Sequence, residues 1–159
     1  MAVREADILT CDLAALAREA GGPLTVFGNL PYNISSQVVV RLIECRREVH
    51  RAVLMFQREL ADRLTAAPGG RDYGRITAML AYCADVERVV AVKSGAFYPA
   101  PQVDSEVVEI RFDPERRWPP HDERRLFRVI AAAFGQRRKT LRNALAAGLG
   151  LPPARVEAA

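Results

Sequence analysis

With 159 residues the chain has room for one domain with a real core and part of a second. Half of its residues are hydrophobic and 26% charged, 23 basic against 19 acidic, which describes an ordinary globular protein whose mild net charge of +4 tolerates a nucleic-acid partner without requiring one. Cys11, Cys45 and Cys83 are widely spaced and neither His50 nor His121 has a Cys or His neighbour at ligand spacing, so the pattern argues against a metal site; with no membrane-length apolar run and no signal pattern it fits reduced thiols in a cytoplasm.

In chain order, residues 1–7 read as a short strand ending on a carboxylate, Asp7, which on its own could equally cap a turn. Residues 13–20 form a short helix closed by Gly21-Gly22. The apolar run 24–27 reads as a buried strand, and Pro31 forces the chain out of the sheet. Helical spacing then runs over residues 34–45, with Asn33 or Ser35 as cap. The side chain of Asn29, the carbonyl of Leu30 and the ring of Tyr32 are thereby gathered at the carboxyl end of a strand, where open α/β sheets place their ligands.

Those groups suit one kind of chemistry. The exocyclic amine of adenine is a poor nucleophile because its lone pair is delocalised into the ring. Two acceptors aimed at its N–H groups, the Asn29 oxygen and the Leu30 carbonyl, would draw the nitrogen towards a tetrahedral shape. Pro31 fixes the backbone direction and Tyr32 offers a face for stacking. The nitrogen could then attack an electrophilic methyl group placed in line, with positioning in place of a strong base. Asn and Pro are also common in plain strand-to-helix turns, so the tetrapeptide alone leaves that reading open.

Further along, residues 51–56 read as a buried strand, and Gln57-Arg58-Glu59 opens a helix carrying Leu60, Ala61 and Leu64 on one face. Residues 66–72 form a Pro-Gly-Gly loop, 73–84 a helix, and 85–93 an alternating strand. Arg71 and Arg75 could touch phosphate or simply be solvated. The loop 94–101, stiffened by Pro99 and Pro101, presents Phe97, which is either part of a site or ordinary core. Residues 107–112 alternate as a last strand. Beyond Asp113-Pro114 the positive charge concentrates: nine Arg or Lys stand against three acids between Glu115 and Arg142. Helices are expected over 122–134 and 139–149, with Pro152-Pro153 ending the second and a frayed tail after it. The run Gln136-Arg137-Arg138-Lys139-Thr140-Leu141-Arg142-Asn143 is either a solvated face or a contact for phosphate and A-form RNA.

Asn29-Leu30-Pro31-Tyr32 resembles the N6-adenine methyltransferase motif as carried by the small-subunit ribosomal RNA adenine dimethyltransferases, and residues 55–63, 95–105 and 137–144 agree with that family in the same order. The resemblance implies an α/β fold: a partial Rossmann-like class I methyltransferase sheet over residues 1–113, then the start of a small all-helical RNA-binding domain over 114–159. It implies S-adenosylmethionine as methyl donor, with Asp7 and Asn29 contacting it. The target adenine would lie between Tyr32 and Phe97, with Asn29, Leu30 and Pro31 completing the catalytic set. Arg71, Arg75, Arg137, Arg138, Lys139 and Arg142 would bind RNA, and the partner would be small-subunit ribosomal RNA in an immature subunit.

The family also holds its donor in a Gly-rich turn after the first strand, and none of the ten glycines here makes such a turn. The family pattern therefore starts at its third strand, as in a fragment of a longer enzyme. The strand ending at Asn29 should then lack a neighbour, to be filled by residues 1–7, by a partner or by self-association through the open sheet, or else left with the chain poorly folded. A non-catalytic ribosome-assembly or RNA-binding module is the rival reading. The large-subunit dimethylases of macrolide resistance typically have Ile in place of Leu30, and DNA adenine methyltransferases usually have two prolines after Asp or Asn.

Overall fold

The computed structural model describes residues 3–113, 122–136 and 138–157. Four strands form one mixed sheet: β1 (Leu24–Asn29), β2 (Val49–Gln57), β3 (Ala84–Val92) and β4 (Ser105–Phe112), in the order β1-β2-β4-β3. β1 and β2 are parallel and joined through α2 (Ser35–Glu44), whereas β4 runs antiparallel to both β2 and β3. Such a crossover needs a helix between its strands, and the apolar face of α2 supplies it. Val38, Val39, Leu42 and Ile43 are all buried there.

One face of the sheet carries the core. Ala52, Leu54 and Phe56 of β2 and Val108, Ile110 and Phe112 of β4 meet α2, α3 (Arg58–Leu64) and α4 (Arg75–Cys83). Leu13 of α1 (Leu13–Ala20) joins the same cluster, and α1 closes on Gly21 at φ 78°, a left-handed cap that suits glycine. Among the described residues the opposite face is the more exposed one. The register sets Phe27 beside Val53, Met55 beside Val107 and Val107 beside Val90, and Phe27 is 70% exposed. Glu109 on this face is held by Arg51 and Arg111, the latter at 2.8 Å and also 3.3 Å from Glu87.

Two helices, α5 (Glu123–Ala133) and α6 (Leu141–Leu149), follow the sheet, with a short α7 (Pro153–Glu157). α5 docks on α4 through Tyr82, whose hydroxyl donates to Glu123 at 2.8 Å while its ring meets Phe127 edge-on at 5.7 Å. Arg46 pairs with the same Glu123. α6 crosses α5 so closely that a Cβ on Gly148 would lie 2.5 Å from the Ala132 Cβ.

Two expectations are corrected. Residues 3–7 form no strand. The Asp7 carboxylate accepts the Leu9 N–H at 2.9 Å and its carbonyl those of Thr10 and Cys11, so the segment ends in a turn and leaves β1 paired with β2 alone among the described residues. Pro153 opens a helix where a frayed tail was expected: Gly150, at φ 66°, has already ended α6, and proline suits a first helical position.

Candidate active site

β1 ends at Asn29, Leu30 and Pro31 lead out of the sheet, and a turn over Tyr32 to Ile34 enters α2. Neither Asn33 nor Ser35 caps that helix in the expected way: Ile34 holds the cap position, and the Ser35 hydroxyl donates back to the Pro31 carbonyl at 2.9 Å. That bond, with Ile34 N–H to the same carbonyl at 3.2 Å, locks the Asn-Leu-Pro-Tyr backbone. Gly28, in β1, packs close to β2: a Cβ there would meet the Leu54 side chain at 3.2 Å. Tyr32 is pinned from the far side of β2. Its hydroxyl shares a hydrogen bond of 3.1 Å with the Ser105 hydroxyl, which is buried at the start of β4.

Facing this turn is the loop that connects β3 to β4. Asp104 holds it: one carboxylate oxygen accepts the Ser94 N–H at 3.0 Å, the other the Lys93 ammonium at 3.0 Å, and the Asp104 carbonyl accepts the Arg58 N–H at 3.0 Å. The Ser94 N–H bond above all, and then Lys93, keep the Asp104 carboxyl below the usual aspartate range. A single turn of 3-10 helix, Ser94–Ala96, then leads into Phe97, which lines the same hollow as Tyr32. Between the two segments lies an open hollow of about 450 Å³, within the range of small-molecule sites. Asn29, Leu30, Pro31, Tyr32 and Phe97 all line it, with Tyr98 and two prolines completing the rim. The Asn29 amide and the Leu30 carbonyl have no partner among the described residues, so both are available to a ligand's donors.

Asp7 is not among the groups that line the hollow. Its carboxylate is exposed and serves the turn to Leu9, which is the plainer of the two roles the sequence allowed. Of the two residues that the resemblance assigns to the methyl donor, Asn29 lines the hollow and Asp7 does not.

The basic residues fall into a larger groove of about 1280 Å³ between α2, α3, α4 and the α5–α6 connection. Arg71, Arg75, Arg138 and Lys139, from two separate stretches of sequence, meet there. Arg142 does not join them, because its guanidinium pairs with Glu157 of α7, and Arg137 lies outside the described residues. Arg41 and Arg63 also line the groove and were not singled out by sequence. Their signal was weak: each stands on a helix near an acid, Arg41 by Glu44 and Arg63 by Glu59, the pattern of a solvated face. Tyr73 and Phe134, tilted against each other at 6.0 Å, add an aromatic pair to the same groove.

Solved methyltransferase structures share this fold. A dimethyladenosine transferase from Plasmodium falciparum superposes with a TM-score of 0.66 at 33% identity, covering 76% of this chain and 43% of that one. The 23S rRNA methyltransferase ErmE gives 0.67 at 27% identity over 96% and 58%. The family model described as ribosomal RNA adenine dimethylase matches residues 1–155, and the chain belongs to that family. Among curated relatives named ribosomal RNA small subunit methyltransferase A, that of Desulforapulum autotrophicum is 51% identical over 89% of this chain and 49% of its own length. That of Laribacter hongkongensis is 43% identical over 98% and 62%. The chain thus spans about half the length of most of the curated relatives it matches.

Proposed function

We propose that this chain forms the adenine-accepting part of an S-adenosylmethionine-dependent enzyme that N6,N6-dimethylates adenosines in small-subunit ribosomal RNA, acting in the cytoplasm on the immature subunit. The observation that carries the reading is the hollow in which Asn29, the Leu30 carbonyl, Tyr32 and Phe97 converge with both acceptors uncommitted.

The target base leaves its stack and lies between the Tyr32 and Phe97 rings, which bind it by its two faces. The Asn29 oxygen and the Leu30 carbonyl accept the two N–H groups of the exocyclic amine. Holding those hydrogens pyramidalises the nitrogen and directs its lone pair out of the ring plane. Pro31 and the Ser35–Pro31 bond keep the acceptors fixed, so little reorganisation is needed when the nitrogen reacts. After one methylation the amine retains one N–H for one of the acceptors, so the same pair can orient it again. The groove with Arg71, Arg75, Arg138 and Lys139 supports RNA as the substrate, since these cations are positioned for phosphates while the hollow takes a base. The sheet domain to residue 113 and the helices after 114 would work as two parts, with the groove at their junction.

A test is a chimera in which residues 1–155 replace the matching segment of the Desulforapulum relative, assayed on unmethylated small subunits by mapping dimethyladenosine. The chimera is expected to methylate, and Asn29→Ala to lower the rate about 100-fold or more, by analogy with loss of one preorganised group at a reacting centre. A chimera that binds donor and RNA yet transfers no methyl, or that is indifferent to Asn29, would sink the reading. The non-catalytic alternative is an RNA-binding module. It would prevail in the first of those outcomes. We also propose self-association through the open sheet, on the strength of the unpaired β1 edge and the exposed Phe27.

A further inference from the structure

A second cavity, of about 510 Å³, lies between the hollow and the basic groove. Its place in the chain makes it a bridge. Pro101 lines the hollow and the next residue, Gln102, lines this cavity; Arg71 and Asp72 line this cavity and the groove alike. The shared and adjacent lining residues place it next to both.

Half of its charged groups are spent on ion pairs. Glu59 pairs with Arg63 at 2.9 Å, Asp62 with Arg88 at 2.7 Å and Asp104 with Lys93 at 3.0 Å. What remains without a protein hydrogen bond or ion pair, among the described residues, is two amides, Gln57 and Gln102, two guanidiniums, Arg58 and Arg71, and one acid, Asp72. Amides carry a donor and an acceptor side by side and match the edge of a nucleobase, and free guanidiniums match its phosphate. Gln57 ends β2 directly opposite Ser105, the residue that pins Tyr32, so this amide stands on the same frame as the hollow.

We propose that this cavity holds the nucleotide adjoining the target adenosine on the same strand. Gln57 and Gln102 read its base edge, and Arg71 takes its phosphate. The inference rests on the hollow being the site of the flipped adenine. It makes the cavity a specificity-determining subsite: the target is chosen by its neighbour as well as by its own edge.

The experiment uses the full chain and short single-stranded oligoribonucleotides carrying at the target position a fluorescent adenine analogue that keeps the 6-amino group, such as 8-vinyladenine, whose fluorescence rises on unstacking. The adjoining nucleotide is set in turn to A, C, G, U or an abasic ribose. Binding is expected to depend on that nucleotide, with the abasic oligomer about tenfold weaker than the best base. The Gln57→Ala/Gln102→Ala variant should flatten the preference while leaving the fluorescence rise at saturation intact. Arg71→Ala should weaken all oligomers alike. A fluorescence rise that ignores the neighbour in the unaltered chain would overturn the subsite and leave the hollow standing. Binding with no fluorescence rise would remove the target from the hollow, and both proposals would fall together.

Discussion

Asn29 and Leu30 have acceptors to offer because the fold spends no hydrogen bond on them among the described residues, whereas supporting residues nearby are tied: Tyr32 to Ser105, Ser35 to Pro31, Asp104 to Ser94 and Lys93. That contrast between free acceptors and fixed supports could not be read in the sequence. The motif named the residues, but the Tyr32–Ser105 bond spans 73 positions and depends on β4 lying next to β2. Asp7 shows the reverse: a carboxylate after an apolar start fits a strand end or a turn equally well, and the chain's local hydrogen bonds decided for the turn. Asp104 yields a pH prediction. Its carboxyl is depressed in the folded chain, so it binds fewer protons there than when unfolded. The stability it contributes is present above the ordinary aspartate value of about 4 and is lost as pH falls through the lower folded value. Urea midpoints of the unaltered chain and Asp104→Asn should therefore differ at neutral pH and converge in acid. A constant gap across that range would mean the carboxylate charge does not anchor the Phe97 loop.

The elements were mostly legible, because each buries one clear face. α2 shows its apolar stripe at helical spacing, and β2 alternates towards Ala52, Leu54 and Phe56. What failed were segments whose structure depends on neighbours: residues 3–7, which find no strand beside them, and Pro153, read as an end because Gly150 had not been recognised as the stop. Gly148 carries a prediction that runs against helix propensity. In an open helix, Gly→Ala adds up to about 1 kcal/mol of stability. Here the new methyl would sit 2.5 Å from the Ala132 Cβ and 2.8 Å from its Cα, and backbone cannot swing aside as a side chain would. Overpacking of that kind costs about 1–3 kcal/mol and should win. Gly148→Ala is thus expected to lower the denaturant midpoint, with faster amide exchange in α5 and α6, and a stabilised variant would show that the two helices are not so closely crossed.

At the scale of the molecule, the sequence pointed to a missing neighbour for β1, because the family's order of strands leaves that edge open and residues 1–7 were the chain's own candidate to fill it. It did not disclose the more exposed face, since alternation along a strand says that two faces differ without saying which one helices will cover. The structure joins the two features: the unpaired edge of β1 and the exposed Phe27 belong to the same strand, and the apolar row Phe27, Val53, Met55 and Val107 runs inward from it. In the self-association proposed above, a second copy adding its strand there would satisfy the backbone groups while the face is removed from water. Burial of a phenylalanine is worth about 1.5–3 kcal/mol, and a two-fold pairing would bury two. Phe27→Glu should then weaken association by about 100-fold or more, measured by sedimentation equilibrium across a concentration series. The cost falls on the dimer, because Phe27 is 70% exposed and contributes little to the core of the single chain. Its thermal midpoint at high dilution should accordingly be unchanged by the substitution. A chain that stays monomeric at its highest soluble concentration would refute the pairing, and a Phe27→Glu variant that unfolds at high dilution would place Phe27 in the monomer's own core.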